Sequence, residues 1–249
     1  SREILRDPRS KNYPDLMTVG FFCRKSSIQK ILVAIPELGL RRGVGTVTHI
    51  SPGNIPMNFA FSLFMGILSG NSNLVRLPTR EFEQVDLFIE IFDRVSTKSN
   101  FQKFSSQTLF FKSDRNSSVL TDLIKKTDGL IVWGGDLTVD YFRSLPKAPK
   151  CVDVYFPNRV SSSLICAESV INCSAEEIQK LCLDFYNDTY LVDQNACSSP
   201  NHIVWVGSQS QCSEAKEIFW LNLNRRLQKN YQLDPVAKID RILDVMDMT

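Results

Sequence analysis

The sequence predicts an α/β fold, in which a Rossmann-type parallel sheet domain is followed by part of a second α/β domain. Short apolar segments rich in β-branched and aromatic residues alternate with longer segments whose apolar residues recur at helical spacing. Glycine or proline turns separate several of these segments, and the alternation restarts after Pro157. Strands that follow one another through helices pair in parallel, because parallel neighbours need a crossover connection. The result is a sheet covered by helices on both faces.

The first elements of this pattern lead from an N-terminal helix to a strand and a tight turn. Apolar residues at roughly helical spacing predict a helix over Tyr13–Leu38. The segment Gly45–Ile50 (GTVTHI) is predicted to be a strand, and Ser51–Pro56 (SPGNIP) a turn. An apolar helix over Met57–Ser69 follows, and Gly70 ends it.

Three further strand-and-helix units complete the first half. A strand over Asn73–Leu77 precedes an amphipathic helix over Phe82–Val95, whose apolar residues share one face. The remaining predicted elements are a strand over Thr108–Phe111, a helix over Val119–Lys126, a strand over Leu130–Trp133 and, after Gly134 and Gly135, a helix that begins at Leu137.

The second half repeats the alternation beyond a boundary near Pro157 and Asn158. We therefore predict two domains, residues 1–157 and residues 158–249, the second of them partial. The predicted elements of the second domain are a strand over Ser162–Ala167, a helix over Ala175–Tyr186, a strand over His202–Val206 and a helix over Ser213–Lys229.

Composition and charge exclude several classes of protein. A chain of 249 residues with 43% hydrophobic and 22% charged residues is ordinary for a globular protein. Its 29 Lys and Arg against 27 Asp and Glu give a net charge of +2, so we expect no nucleic-acid partner. The seven cysteines show neither a C-x-x-C motif nor a zinc-ligand spacing, and they predict a reducing, cytoplasmic environment without a bound metal.

The longest apolar run is also informative. Residues Ile55–Gly70 fall short of the roughly 18 apolar residues that a membrane-spanning helix needs. We also expect no signal peptide before the first helix-like segment. We therefore expect a buried core helix and no membrane span.

A polar turn containing Asn54 lies directly before this apolar helix. Helix N-termini present unpaired N–H groups and stabilise anions or developing negative charge. The Asn54 side chain could cap the helix, or its amide could donate a hydrogen bond to an oxyanion. Spacing alone leaves both interpretations open.

Two other strand ends carry residues suited to a nucleotide. Gly134 and Gly135 would let the backbone approach a phosphate or nicotinamide, although they are not a G-x-G-x-x-G motif and a structural turn explains them equally well. Arg76 and Arg80 lie at the end of the second strand, where ligands of doubly wound sheets bind, and two guanidinium groups there suit the 2′-phosphate of NADP. Simple exposure to solvent is the alternative for these arginines.

Cys197 is the candidate nucleophile. Its segment, DQNACSSPN, is polar, so it would solvate a thiolate rather than bury a thiol. The cysteines expected to be small buried hydrophobes are Cys166, Cys173, Cys182 and Cys212. A cysteine in a polar turn without a chemical role remains the alternative. His49 or His202 could serve as a base to Cys197 in a thiol hydrolase, and structural roles for both histidines stay open.

Four motifs in order resemble one family over nearly the whole chain. They are YPDLMTVGFFCRK, GVGTVTHISPGNIPMNFAFSLFMGILSGNSNLVRLPTR, IVWGGDLTVDYFR and DQNACSSPNHIVWVG. Together they resemble the LuxC family, the fatty acyl-CoA reductases of bacterial bioluminescence and their relatives in the aldehyde dehydrogenase superfamily. The resemblance implies an aldehyde dehydrogenase-like fold with a cofactor-binding first domain and a catalytic second domain.

The resemblance also implies roles for individual residues. Cys197 is similar to the nucleophile that forms a thioester with the acyl group, and Asn54 to the asparagine whose amide contributes to the oxyanion hole. Gly134 and Gly135 match the turn that faces the cofactor. The adenosine ribose is held in the family by a segment that here contains Arg76, Pro78, Thr79 and Arg80.

The implied reaction is the NADPH-dependent reduction of a long-chain acyl thioester to the fatty aldehyde. The acyl donor would be acyl-CoA or an acyl-protein, with acyl-transferring proteins as possible partners and a homo-oligomer as the expected assembly. Hydrolytic aldehyde dehydrogenases use a glutamate where this chain reads DVYFPNRVSSS, and its absence fits reduction rather than attack by water.

Family members are longer, so the resemblance implies a fragment or a shortened relative that lacks an N-terminal portion and C-terminal parts of the catalytic and oligomerisation regions. Two kinds of alternative remain at this point. One is an oxidising aldehyde dehydrogenase or cysteine hydrolase, and the other is a non-catalytic acyl-binding scaffold.

Overall fold

The computed structural model describes residues 1–35, 41–53, 55–191, 194, 196 and 198–231. The chain divides into two compact units, the first over Ser1–Asn158 and the second from Arg159 onwards. The assignment of cofactor binding to the first unit and catalysis to the second stays a prediction.

The first unit is built on a five-stranded parallel sheet. Its strands are β1 (Thr46–Ile50), β2 (Ser72–Arg76), β3 (Thr108–Phe111), β4 (Gly129–Trp133) and β5 (Val152–Phe156). They lie in the order β3-β2-β1-β4-β5, and every pair is parallel. In a sheet with this order the direction of winding reverses between β1 and β4, which is where such folds bind their ligands.

Helices connect these strands and bury the two faces of the sheet. The helices of the first unit are α1 (Arg2–Arg6), α2 (Pro14–Phe22), α3 (Lys25–Ala34), α4 (Asn58–Leu68), α5 (Glu83–Ser96), α6 (Gln102–Ser106), α7 (Ser118–Lys126) and α8 (Asp136–Ser144). One apolar cluster packs α2, α4 and α5 against Val75 of β2. A second cluster packs α7 and α8 against Ile50, Leu130 and Val132. Since each crossover returns to the same sheet, helices cover both faces of the sheet around the central β1–β4 pair.

The described part of the second unit contains a two-stranded parallel sheet and three helices. The elements are β6 (Ser161–Cys166), α9 (Ala167–Ile171), α10 (Ala175–Thr189), β7 (Pro200–Val206) and α11 (Gln209–Asn230). Phe219 and Leu223 of α11 are fully buried against Phe185 of α10 and Ile165 of β6. This core fixes the ends of the segment that carries Cys197.

The structure corrects three element predictions. The helix predicted over Tyr13–Leu38 is two helices, because Arg24 is extended and its N–H bonds the Phe21 carbonyl at 3.1 Å; residues 36–38 lie outside the described part. Strand β5 was not predicted as a strand. Helix α11 begins at Gln209 rather than Ser213, because Ser208 and Gln211 form a capping box that satisfies its first N–H groups.

Candidate active site

A cleft of about 630 Å³ opens at the carboxyl ends of β1 to β4. This is where the strand order predicts a ligand. The described residues that line it are Ser51, Pro52, Gly53, Arg76, Thr79, Asp114, Arg115, Trp133, Gly134, Gly135 and Thr138. Four of the residues proposed from the sequence therefore meet in one place, namely Arg76, Thr79, Gly134 and Gly135.

The glycine turn after β4 forms one wall of the cleft. Gly135 is the N-cap of α8, so the unpaired N–H groups of that helix begin at the cleft. A Cβ at Gly134 would lie 3.0 Å from the Thr138 methyl group, whereas one at Gly135 would meet nothing closer than 3.5 Å. Gly134 is thus the position where a side chain would crowd the turn, and both glycines leave the backbone open to a ligand.

Trp133 supplies a flat apolar surface beside this turn. Its ring stacks on Phe156 with the centroids 3.7 Å apart and the planes 7° from parallel. The indole N–H donates to Ser62 Oγ at 3.4 Å. Contacts on β5 and α4 therefore fix the orientation of Trp133 where it borders the cleft.

Arg76 brings a buried positive charge to the other side of the cleft. Only 8% of the residue is exposed, and its Nε donates to the Ser113 carbonyl at 2.8 Å. Burial lowers the pKa of the guanidinium, Asp114 opposes that shift, and Arg115 adds to it. Among the described residues no carboxylate forms an ion pair with Arg76. A buried cation that forms no ion pair with a described carboxylate favours an anionic ligand in the cleft.

The other two residues of the predicted ribose segment lie elsewhere. Pro78 is buried and does not line the cleft. Arg80 is exposed, and its guanidinium lies over the Phe82 ring at 5.5 Å from the centroid. In place of Arg80, the cleft contains Arg115, which sequence reasoning missed. The sequence does contain a signal for Arg115, because this residue lies as far beyond the end of β3 as Arg80 lies beyond the end of β2.

The cleft also contains a buried hydroxyl group without a partner. Ser51 is 3% exposed, and no described group forms a hydrogen bond with its Oγ. Such an atom costs free energy unless a ligand or water satisfies it. With the open glycine turn and the buried guanidinium, it makes the cleft fit a phosphorylated nucleotide such as a nicotinamide coenzyme.

His49 is not available as a base. It is fully buried, and both ring nitrogens have partners: Nδ1 lies 2.7 Å from Ser62 Oγ and Nε2 lies 3.0 Å from Asn73 Oδ1. The Asn73 amide also donates to the Asn71 carbonyl, so its oxygen accepts from Nε2–H, and Nδ1 accepts from Ser62. The neutral ring is thus committed to a buried network, and the structural interpretation of His49 holds. His202 is exposed on β7.

This network predicts a dependence of stability on pH. Burial lowers the pKa of His49 to about 4, from about 6.5 in the unfolded chain. The unfolded state therefore binds the proton more readily, and the stabilisation is complete above pH 6.5 and lost as the pH falls towards 4. We expect the free energy of unfolding to fall by roughly 3 kcal/mol over that range. Urea unfolding between pH 7.5 and 5 measures the upper part of this loss.

The chain has two histidines, which gives this prediction a matched control. His49→Gln should flatten the pH dependence of the unfolding free energy, and His202→Gln should leave it unchanged. An unaltered slope in His49→Gln would show that another group causes the acid sensitivity.

The predicted nucleophile and the predicted oxyanion donor, Cys197 and Asn54, lie outside the described residues. The ends of the Cys197 segment are nevertheless anchored. Ser199 Oγ donates to the Asp188 carbonyl at 2.7 Å, and Gln194, with a positive φ of 57°, donates through Nε2 to the Pro200 carbonyl at 3.3 Å. The convergence of Cys197 and Asn54 on one carbon stays a prediction.

Two other cysteines differ from each other. Cys182 is buried, and burial raises the pKa of its thiol to about 11, as expected of a core cysteine. Cys166 is exposed, contrary to prediction, and hydrogen bonding from Ser169 lowers the pKa of its thiol. The residues next to Cys166 in the sequence do not indicate this exposure, which arises because the side chain points away from the core at the end of β6.

Within the described ranges, no cluster of three or more His, Cys, Asp or Glu side chains could hold a metal ion. No helix there is both long and apolar enough to cross a membrane.

Comparison with known proteins places these features in a family. The family described as acyl-CoA reductase (LuxC) matches residues 26–242. The chain is similar to the long-chain acyl-protein thioester reductases of Vibrio harveyi (23% identity, 72% of this chain and 36% of the relative) and Aliivibrio fischeri (23% identity, 66% and 32%). It therefore spans about a third of the length of the curated relatives it matches.

Solved structures show the same fold at lower identity. The propionaldehyde dehydrogenase of Rhodopseudomonas palustris, solved with propionyl-CoA, is 15% identical with a TM-score of 0.52 over 82% of this chain and 41% of its own. A benzaldehyde dehydrogenase of Corynebacterium glutamicum is 14% identical with a TM-score of 0.53 over 74% and 38%. The predicted aldehyde dehydrogenase-like α/β fold is confirmed.

Proposed function

The chain belongs to the acyl-CoA reductase (LuxC) family, as its motifs predict, and on this premise we propose that it reduces long-chain acyl thioesters to aldehydes with NADPH. Membership of the family supports an oxidoreductase acting at the aldehyde level. The acyl donor, the thioester on Cys197 and the choice of NADPH are our proposals. The relatives' names supply the class of substrate, an acyl group held as a thioester on a protein or on coenzyme A.

The cleft of the first unit is the observation that carries this proposal. It combines an open glycine turn, a helix N-terminus and a buried guanidinium at the point where the winding of the sheet reverses. These features suit a dinucleotide that lies close to the backbone at Gly134 and Gly135 and has its adenosine end beside Arg76. A nicotinamide coenzyme bound there supplies the hydride that the reduction requires.

The chain's own residues would carry out the acyl transfer. The Cys197 thiolate attacks the acyl carbonyl carbon, and the Asn54 amide donates to the oxygen as it becomes negative. The carbon–sulfur bond to the carrier then breaks, so the carrier leaves as a thiolate, which takes a proton from solvent, and the acyl group remains on Cys197. Reduction would add a hydride to the acyl carbon and a proton to its oxygen, and the resulting hemithioacetal on Cys197 would break its carbon–sulfur bond to release the aldehyde as the hydroxyl proton passes to the sulfur.

The segment between the two units favours reduction over hydrolysis. No glutamate lies in residues 153–163, where hydrolytic relatives activate water. The carboxylate in that segment, Asp153, accepts a hydrogen bond from the Tyr155 hydroxyl at 2.7 Å and lies 3.6 Å from Lys147 Nζ. Since these partners occupy Asp153, it is poorly suited to accept a proton from a water molecule.

The test is a single-turnover experiment on protein expressed from its complete reading frame. We expect radiolabelled myristoyl-CoA to transfer its acyl group to the protein, and NADPH to discharge that label as tetradecanal in a 1:1 ratio to the NADPH consumed. The same protein incubated without NADPH should retain the label.

Other outcomes would overturn the proposal in different ways. Steady release of myristic acid without a nicotinamide would indicate a hydrolase. Reduction of NAD⁺ or NADP⁺ by tetradecanal to give free acid would indicate an oxidising aldehyde dehydrogenase. Stable label that NADPH does not discharge would indicate an acyl-binding scaffold.

A further inference from the structure

The ends of β2 and β3 bring two arginines to the same side of the cleft. Arg76 is the last residue of β2 and pairs in register with Phe111, the last residue of β3. Arg115 lies four residues beyond Phe111, and both arginines line the cleft. The family comparison supplies no role for Arg115.

A hydrogen bond fixes Arg76 to the turn that carries Arg115. Nε of Arg76 donates to the Ser113 carbonyl at 2.8 Å, two residues before Arg115. This bond uses the Nε donor, so the two terminal nitrogens of the guanidinium remain for a ligand. Because Arg76 is 8% exposed, its orientation is also held by packing.

The guanidinium of Arg115 packs on an aromatic ring. Its guanidinium carbon lies 5.2 Å from the centroid of the Tyr141 ring, on helix α8. Neither Arg76 nor Arg115 takes part in an ion pair with the carboxylates that the structure describes. Asp114 also lines the cleft and attracts Arg76, but one carboxylate beside two guanidinium groups leaves this part of the cleft positively charged.

Two guanidinium groups on the same side of a cleft favour a ligand that carries two negative charges. A phosphate monoester can accept two hydrogen bonds from each guanidinium, and such bidentate pairs are stronger than neutral hydrogen bonds. In a doubly wound sheet, the ends of β2 and β3 lie on the adenosine side of a bound dinucleotide.

We propose that Arg76 and Arg115 together bind the 2′-phosphate of NADPH and that Arg115 determines the preference for NADPH over NADH. This inference rests on the proposed function and deepens it. Arg80, the partner of Arg76 that the sequence suggested, is excluded from the pair because it packs over Phe82 outside the cleft.

The test compares two nucleotides that differ by one phosphate. Calorimetric titrations with adenosine 2′,5′-bisphosphate and with AMP should show that the unmodified protein prefers the bisphosphate by about tenfold or more. Arg115→Gln should remove about tenfold from the affinity for the bisphosphate and leave the affinity for AMP within about twofold. Arg76→Lys, which keeps the charge but loses the bidentate geometry, should show a smaller loss of the same kind.

Arg80→Gln is the matched control, since it removes an exposed arginine that follows β2 and does not line the cleft. It should leave both affinities unchanged. If Arg115→Gln retains the preference, or if Arg80→Gln abolishes it, the proposed pair is wrong.

These results separate the two proposals. A bisphosphate preference that depends on Arg115, in a protein that makes no aldehyde, would support the pair and contradict the reductase. Aldehyde formed equally with NADH and NADPH, without a bisphosphate preference, would support the reductase and contradict the arginine pair.

Discussion

Cys197→Ala is expected to reduce NADPH-dependent aldehyde formation by about 10⁴-fold or more and to abolish covalent acylation. The reason is that this change removes the only atom proposed to bond the acyl carbon, so no thioester intermediate can form. Intact-protein mass spectrometry after incubation with acyl-CoA measures the acylation directly, and the appearance of aldehyde measures turnover.

Cys166→Ala is the control for this experiment. Cys166 is exposed, and the hydrogen bonding from Ser169 that lowers the pKa of its thiol makes it the described cysteine most open to adventitious acylation. We expect the Cys166→Ala protein to be acylated and to turn over normally. Label retained in Cys197→Ala and lost in Cys166→Ala would identify Cys166 of β6 as the nucleophile and contradict the proposed mechanism.

Much of the fold follows from local patterns in the sequence. Strands β1 to β4 are short, apolar and followed by turn residues, so their number and parallel pairing could be predicted. Strand β5 was missed because Val152 and Val154 are exposed and alternate with the polar Asp153, so the segment lacks the continuous apolar run of a central strand. Its place at the sheet edge explains that pattern.

From the sequence, the candidate site could be predicted only where its residues lie at the ends of predicted strands. The rule that ligands bind at the carboxyl ends of parallel strands identified Arg76, the glycine pair between a strand and a helix identified the glycine turn, and Thr79 came from the family resemblance. The rule could not distinguish Arg80 from Arg115, because the direction of each side chain depends on the path of the turn that carries it. His49 shows the same limit, since its partner Ser62 lies thirteen residues away and contacts it only through the packing of α4 on the sheet.

Asn54→Ala is expected to slow acylation by about 10² to 10³-fold, the usual loss for one oxyanion donor. The competing interpretation makes Asn54 a helix cap, whose loss would lower the free energy of unfolding by about 1 kcal/mol and leave the chemistry intact. The structure weakens that interpretation, because α4 begins at Asn58 and its N-cap position is Met57. Rapid-quench measurement of acylation, together with urea unfolding, separates the two effects.

Asn54→Asp discriminates between the two roles more sharply than alanine does. Aspartate caps helices as well as asparagine, so a cap would tolerate this change. An oxyanion donor would not, because a carboxylate has no N–H to donate and places negative charge where the reaction develops more of it. We therefore expect Asn54→Asp to acylate at least as slowly as Asn54→Ala while it unfolds like the unmodified protein. Normal acylation by the aspartate variant would remove Asn54 from the reaction and require another donor for the oxyanion.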